Sequence, residues 1–246
     1  MASKLKIVAH RGASALAPEN TMAAFFKALD LGVDVIETDV RLTRDHQFVL
    51  SHDENLLRLA GRTRRIDEID LAELQAFAIG TDSLHGDQRV PRLVDLFRLI
   101  RGQVRVLLDL KLDSGYEEDL LHRIQTAGVE QDVILGVRSI RTLRTFKRLA
   151  SGLRTLSFGY PLDVVWEMTD EGVDIIRLWS MWVDAPLMDR AKRVEKPVWV
   201  MCGVPNENRA GNATLQELLF YRRLGVEGVI LNDPRFGFEA NSWKMG

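Results

Sequence analysis

Short β-rich runs alternate with helical patterns along almost the whole chain, and no other feature restricts the fold as tightly. Eight runs have the length and apolar, β-branched content of strands, at residues 5–9, 35–42, 104–110, 133–137, 155–158, 175–178, 198–201 and 226–231. Between them lie helical patterns at 20–31, 93–100, 117–127, 140–150, 162–171, 185–193 and 215–224. Gly32, Gly128, Gly172 and Gly225 each follow such a pattern, where a C-terminal glycine belongs. Eight strands alternating with helices over 246 residues predict an α/β chain folded as a closed (β/α)8 TIM barrel, one domain spanning residues 1–246. An open doubly wound sheet would carry a glycine-rich phosphate loop after its first strand, and the chain has none.

The rhythm breaks once, between about residues 53 and 91. Here the pattern predicts a hairpin partner strand at 48–51, an arginine-rich segment with Arg58, Arg62, Arg64 and Arg65, and a short helix near 71–77. This is a small insertion after the second strand, on the barrel rim where active sites assemble. The arginines form either a solvated face or, in one member, a contact to an anionic substrate.

The chain balances 33 Lys and Arg against 35 Asp and Glu, so it offers no global field for nucleic acid. One cysteine, Cys202, rules out an intrachain disulfide and a cysteine metal cluster. The start, Met1-Ala2-Ser3-Lys4-Leu5-Lys6, lacks the long apolar core of a secretory signal, and no run of 18 apolar residues exists. The expectation is a cytoplasmic protein with no stable membrane insertion.

Chemistry concentrates between Val35 and Asp53. Strand alternation puts Glu37 and Asp39 on one face, opposite Ile36, Thr38 and Val40. Two carboxylates converging on a largely apolar strand repel each other and resist desolvation unless a cation sits between them, which favours a hard divalent metal. His52-Asp53 ends the hairpin strand beside this pair. His10-Arg11-Gly12 ends the first strand, either as a surface pair or as an imidazole and a phosphate-binding fork on the catalytic rim. On the third strand Asp109 and Lys111 share a face, as a plain ion pair or as a third metal ligand and a phosphate contact. In Pro18-Glu19-Asn20-Thr21, Asn20 reads as a helix N-cap, and Glu19 could orient Arg11 or a histidine. His46, His85 and His122 read as structural or solvated; Trp179, Trp182 and Trp199 as core packing or substrate stacking.

Together these residues resemble the glycerophosphodiester phosphodiesterase family. The resemblance rests on His10-Arg11-Gly12, Pro18-Glu19-Asn20-Thr21, Ile36-Glu37-Thr38-Asp39-Val40, His52-Asp53, Pro91-Arg92-Leu93, Asp109-Leu110-Lys111 and the closing Gly225-Val226-Glu227-Gly228 ahead of Asp233-Pro234. It implies a TIM barrel that hydrolyses a small-molecule glycerophosphodiester to an alcohol and glycerol 3-phosphate with one divalent metal ion, Mg2+ or Ca2+. It further implies His10 and His52 as the acid/base pair, Glu37, Asp39 and Asp109 as metal ligands, and Arg11 and Lys111 as phosphate contacts. The chain departs from the family pattern at Asp109, where glutamate is usual, at Asn232, where threonine usually precedes Asp-Pro, and at Ser139-Ile140 in place of Ser-Phe. Two other outcomes stay open: lysophospholipase D-type hydrolysis on the same site, and a barrel that binds a phosphorylated ligand without turning it over.

Overall fold

A computed structural model describes residues 4–82, 86–205 and 210–244. His85 and Met1 to Ser3 lie outside the described residues. Eight parallel strands form the barrel: β1 (Lys6–Ala9), β2 (Val35–Leu42), β3 (Arg105–Leu110), β4 (Val133–Val137), β5 (Arg154–Ser157), β6 (Ile176–Trp179), β7 (Val198–Met201) and β8 (Gly228–Leu231). Each pairs with its sequence neighbours, and β1 also pairs with β8. The ring closes where Leu156 bridges Ile175 and the Ser157 N–H donates to the Ile175 carbonyl at 3.1 Å. The chain is therefore a (β/α)8 TIM barrel.

Eight helices follow the strands: α1 (Met22–Leu31), α2 (Leu93–Ile100), α3 (Glu117–Ala127), α4 (Ile140–Leu149), α5 (Leu162–Asp170), α6 (Ala185–Arg193), α7 (Leu215–Leu224) and α8 (Pro234–Ser242). The last is not visible in apolar spacing. Its start is nonetheless encoded, because Asp233 caps the Arg235 N–H and Pro234 occupies the first turn, where no amide hydrogen is needed. Among the described residues, no helix is long and apolar enough to cross a membrane.

Period-two alternation divides each strand between two cores. Ile7, Ile36, Val106, Leu108 and Val200 face outward into the layer shared with the helices, whereas Val8, Val35, Leu107, Ile134, Trp199 and Ile230 fill the barrel interior. The same alternation continues toward the carboxyl ends. There the inward positions change from apolar to charged, and this change builds the site.

The insertion occupies the expected segment and has its own apolar cluster, in which Leu56, Ile66, Leu74, Ile79 and Val90 pack on Val49 of the hairpin strand Phe48–Leu50. The helix predicted at 71–77 is shorter, Leu71–Leu74, because only Leu74 is buried in that turn and the chain then leaves for the next ladder. Asn20 is not the N-cap of α1. Thr21 caps it, its hydroxyl accepting the Ala24 N–H at 3.2 Å, while Asn20 adopts a left-handed conformation (φ 52°) that turns its amide inward.

Candidate active site

The inward residues at the carboxyl ends of the strands line one cavity of about 620 Å3. β1 runs into His10, β2 supplies Glu37 and Asp39, β3 supplies Asp109 and runs into Lys111, and the hairpin brings His52 to the same opening. All seven residues singled out from the sequence, Arg11 included, line this cavity. A second cavity of about 740 Å3 lies outside the barrel between α2 and α3, and its one acid, Asp119, is already paired with Arg123.

Glu37, Asp39 and Asp109 are buried, with relative exposures of 2%, 1% and 3%, and each offers an oxygen within 4.8 Å of the others. Register explains the approach, since Asp39 and Asp109 are direct partners in the β2–β3 ladder and Glu37 lies one inward position before. The three do not share one electrostatic state. Burial works against an ionised Asp39, but Lys111 at 3.2 Å and Arg11 at 3.4 Å outweigh it and hold the carboxyl well below the usual range. Asp109 is lowered likewise by Lys111 at 3.0 Å and by Arg138, which grips both its oxygens at 2.8 and 2.5 Å. Glu37 is raised well above its ordinary value by burial and by the charges of Asp39 and Asp109. Its nearest imidazole nitrogen, on His10, is 3.9 Å away. A hard divalent cation bound through oxygen fits this donor set, because it would neutralise the one carboxylate that the side chains leave uncompensated. Carboxylate oxygens have lone pairs beyond those used by Arg138 and Lys111, so Asp109 retains ligand capacity.

Each histidine is oriented by a partner at Nδ1. The Asn232 side-chain oxygen lies 2.6 Å from His10 Nδ1, and its amide nitrogen donates to the Ala210 carbonyl and to Asn212. The carbonyl end of Asn232 therefore faces the ring, His10 carries its proton on Nδ1, and Nε2 is left as a lone pair toward Glu37. His10 is lowered to about 4, first by burial and then by Arg11, so it is neutral at neutral pH. His52 Nδ1 lies 2.8 Å from Asp53 Oδ1. His52 is lowered too, by burial and by Lys111 and Arg11, against the opposing influence of Asp39 and Asp53. Arg41 holds the His52 carbonyl through two donors at 3.0 and 2.7 Å.

Glu19 has the orienting position expected of it, accepting from Arg11 at 2.9 Å and from Arg58 at 2.7 and 2.8 Å. Arg58 also donates to Asp53, so one member of the insertion's arginine cluster does reach the site, whereas Arg64 and Arg65 pair with exposed acids. Asn20 donates to Asp39 at 2.9 Å and accepts from the Thr38 hydroxyl at 2.7 Å. Trp179 lines the cavity, Trp199 is core, and Trp182 stacks on Tyr160. His46 occupies the turn after β2, and His122 lies on α3.

Sequence reasoning missed Arg138, Arg177 and the histidine contact of Asn232. Arg138 falls one residue beyond β4, and Arg177 is an arginine inside a four-residue strand. Each has one signal: it continues the inward period of its strand past Gly136 and Ile175.

A parallel (β/α)8 barrel with buried acids and two oriented imidazoles on its carboxyl rim defines a TIM-barrel protein with a polar site in the mouth. The chain matches the model of the glycerophosphoryl diester phosphodiesterase family over residues 10–235, and it belongs to that family. A glycerophosphodiester phosphodiesterase of Caldanaerobacter subterraneus subsp. tengcongensis is 34% identical over 159 residues, which are 61% of this chain and 65% of that one. A human lysophospholipase D is 34% identical over 118 residues, 45% of this chain and 37% of its own. The chain thus aligns with just under two thirds of the first relative's length. An Oleispira antarctica phosphodiesterase, solved with the product sn-glycerol-3-phosphate, superposes with a TM-score of 0.80 at 21% identity over 96% of both chains, which establishes the shared fold.

Proposed function

We propose that this protein is a metal-dependent phosphodiesterase that cleaves a small-molecule glycerophosphodiester into an alcohol and glycerol 3-phosphate. One observation carries the reading: two Nδ1-anchored histidines share a cavity with three buried, mutually close carboxylates and the cations Arg11 and Lys111. A divalent ion, Mg2+ or Ca2+, held by Glu37, Asp39 and Asp109 would polarise a phosphoryl oxygen. Arg11 and Lys111 stabilise charge on the remaining phosphoryl oxygens, and Asn20 and Glu19 keep Asp39 and Arg11 in place. His10, neutral with a free Nε2, suits removal of the nucleophile's proton. His52, with Nδ1 paired to the Asp53 carboxylate at 2.8 Å and Nε2 free among the described residues, suits protonation of the departing alkoxide.

The test is release of alcohol from a panel of glycerophosphodiesters, with chelator and metal add-back as controls. His10→Ala and His52→Ala should each lower kcat by about 10²–10⁴-fold, the usual worth of a general acid or base, with unchanged circular dichroism. Full activity in either variant removes its assigned role. A second reading, hydrolysis of lysophospholipids, has support in the apolar wall of Phe158, Tyr160, Trp179 and Met201 beside the charged groups. Lysophosphatidylcholine assayed against glycerophosphocholine at equal concentration separates the two, because only the lipid uses that wall for an acyl chain.

A further inference from the structure

Arg177 has no place in the chemistry above, yet it is the most unusual charge in the barrel. It projects inward from β6, which lies diametrically across an eight-strand ring from β2 and its acids. Its relative exposure is 3%, and its Nε and Nη1 have no hydrogen-bond partner among the described residues. The guanidinium lies over two rings, with its central carbon 4.8 Å from the centroid of Phe158 and 4.7 Å from that of Trp179. A buried, unpaired charge costs several kcal/mol, and a protein that retains one has a partner for it elsewhere. Burial lowers the group only to about 9, so it remains a cation at neutral pH.

The nearby acids are not that partner. Asp109 is already gripped on both oxygens by Arg138 and approached by Lys111, and Asp39 is shared by Lys111 and Arg11. Charge arithmetic over the cavity agrees. Among the described residues, five cations (Arg11, Arg58, Lys111, Arg138, Arg177) face five carboxylates, so a bound divalent ion leaves a surplus of two positive charges. The diester phosphate supplies one negative charge, and one positive charge remains.

We propose that Arg177 anchors a second anion subsite, which takes an acidic group, a carboxylate or phosphate, carried on the alcohol half of the diester. This rests on the phosphodiesterase reading and adds a substrate class to it. Phe158 and Trp179, which could otherwise cradle a quaternary ammonium, already have cations over them, Arg177 over both and Arg138 over Phe158, so a choline head group meets like charge beside these rings. A planar fork with free donors is instead matched to an oxyanion.

Two probes that differ only in a carboxylate decide the matter without turnover. Binding of 2-phosphoglycolate and of ethyl phosphate is measured calorimetrically in magnesium buffer, for the wild type, Arg177→Met and Arg177→Lys. The wild type should bind phosphoglycolate about tenfold more tightly, the order expected for one charge-assisted hydrogen bond. Arg177→Met should erase that preference and Arg177→Lys retain part of it. In parallel, the ratio of kcat/KM for glycerophosphoserine to that for glycerophosphocholine should fall by about tenfold in Arg177→Met, the same free-energy difference read in the transition state. Equal binding of the two probes by the wild type overturns the proposal, and it needs no variant to fold. So does an equal loss of both probes in Arg177→Met, which would assign Arg177 to the diester phosphate itself. A phosphoglycolate preference in a protein that hydrolyses no glycerophosphodiester would sustain the subsite and sink the phosphodiesterase reading instead.

Discussion

His10 shows how much of the site a single side chain depends on. Its ring is buried beside Arg11 and pinned by Asn232, and its protonation is suppressed to about 4 from an ordinary 6.5. The folded value lies below the unfolded one, so the unfolded chain takes up the proton first as pH falls. The stability associated with neutral His10 is complete above pH 6.5, declines between 6.5 and about 4, and falls no further below that. A shift of this size corresponds to roughly 3 kcal/mol. Thermal melts of chelated protein from pH 7 to pH 4 should therefore fall more steeply for the wild type than for His10→Asn. Parallel curves would mean that the imidazole is not desolvated as described. Asn232, one of the departures from the family pattern, accepts the Nδ1–H hydrogen bond through its side-chain oxygen while its amide nitrogen donates to the Ala210 carbonyl.

Between elements, the site is held by turns that dock one strand end on the next. Gly12 (φ 77°) lets the chain leave β1 against α1, where an added Cβ would come 2.7 Å from that of Ala24. Gly211 (φ 85°) is tighter: its N–H donates to the Cys202 carbonyl after β7, its own carbonyl accepts the Asn232 N–H after β8, and an added Cβ would meet Asn232 Oδ1 at 2.1 Å and His10 Nδ1 at 2.7 Å. Gly211→Ala should cost about 1–3 kcal/mol in stability through the strained backbone. It should also lower kcat by displacing the imidazole, with metal binding unaffected; unchanged kcat in a folded variant would separate this turn from the chemistry. The insertion acts at the same scale. Its short helix Leu57–Ala60 carries Arg58 to both Glu19 and Asp53, tying the supports of Arg11 and His52 together. The sequence offered four arginines in this segment with nothing local to distinguish Arg58, because what selects it is the position of Glu19 from another loop.

For the whole molecule, the three acids sit on the adjacent strands β2 and β3, so a cation that binds them ties together parts of the barrel wall far apart in the chain. Any ligand that binds only the folded state stabilises it, by about 2.7 kcal/mol at one hundred times its dissociation constant. For a chain of this size that corresponds to a Tm increase of roughly 5–10 °C. Melts in Mg2+ or Ca2+ against chelator should show this increase, and Asp109→Asn should abolish most of it. A Tm insensitive to every divalent ion would count against the metal site.

What the sequence determined by itself is whatever follows from local periodicity. Strand-helix alternation gave the barrel, and spacing by two residues put Glu37 with Asp39 and Asp109 with Lys111 on shared faces. Family resemblance then named the acids, histidines and cations that line the cavity. Tertiary structure decided what depends on ring closure. Asn20 became a support for Asp39 instead of a helix cap, because a left-handed turn aims its amide under β2. Arg138 met Asp109 from the next strand, Asn232 met His10 from the other end of the chain, and Arg177 was left with Nε and Nη1 unpaired among the described residues. Periodicity assigns a residue to a face of its own strand. Which residues meet across the barrel is fixed by strand register and closure, and these are properties of all eight strands together.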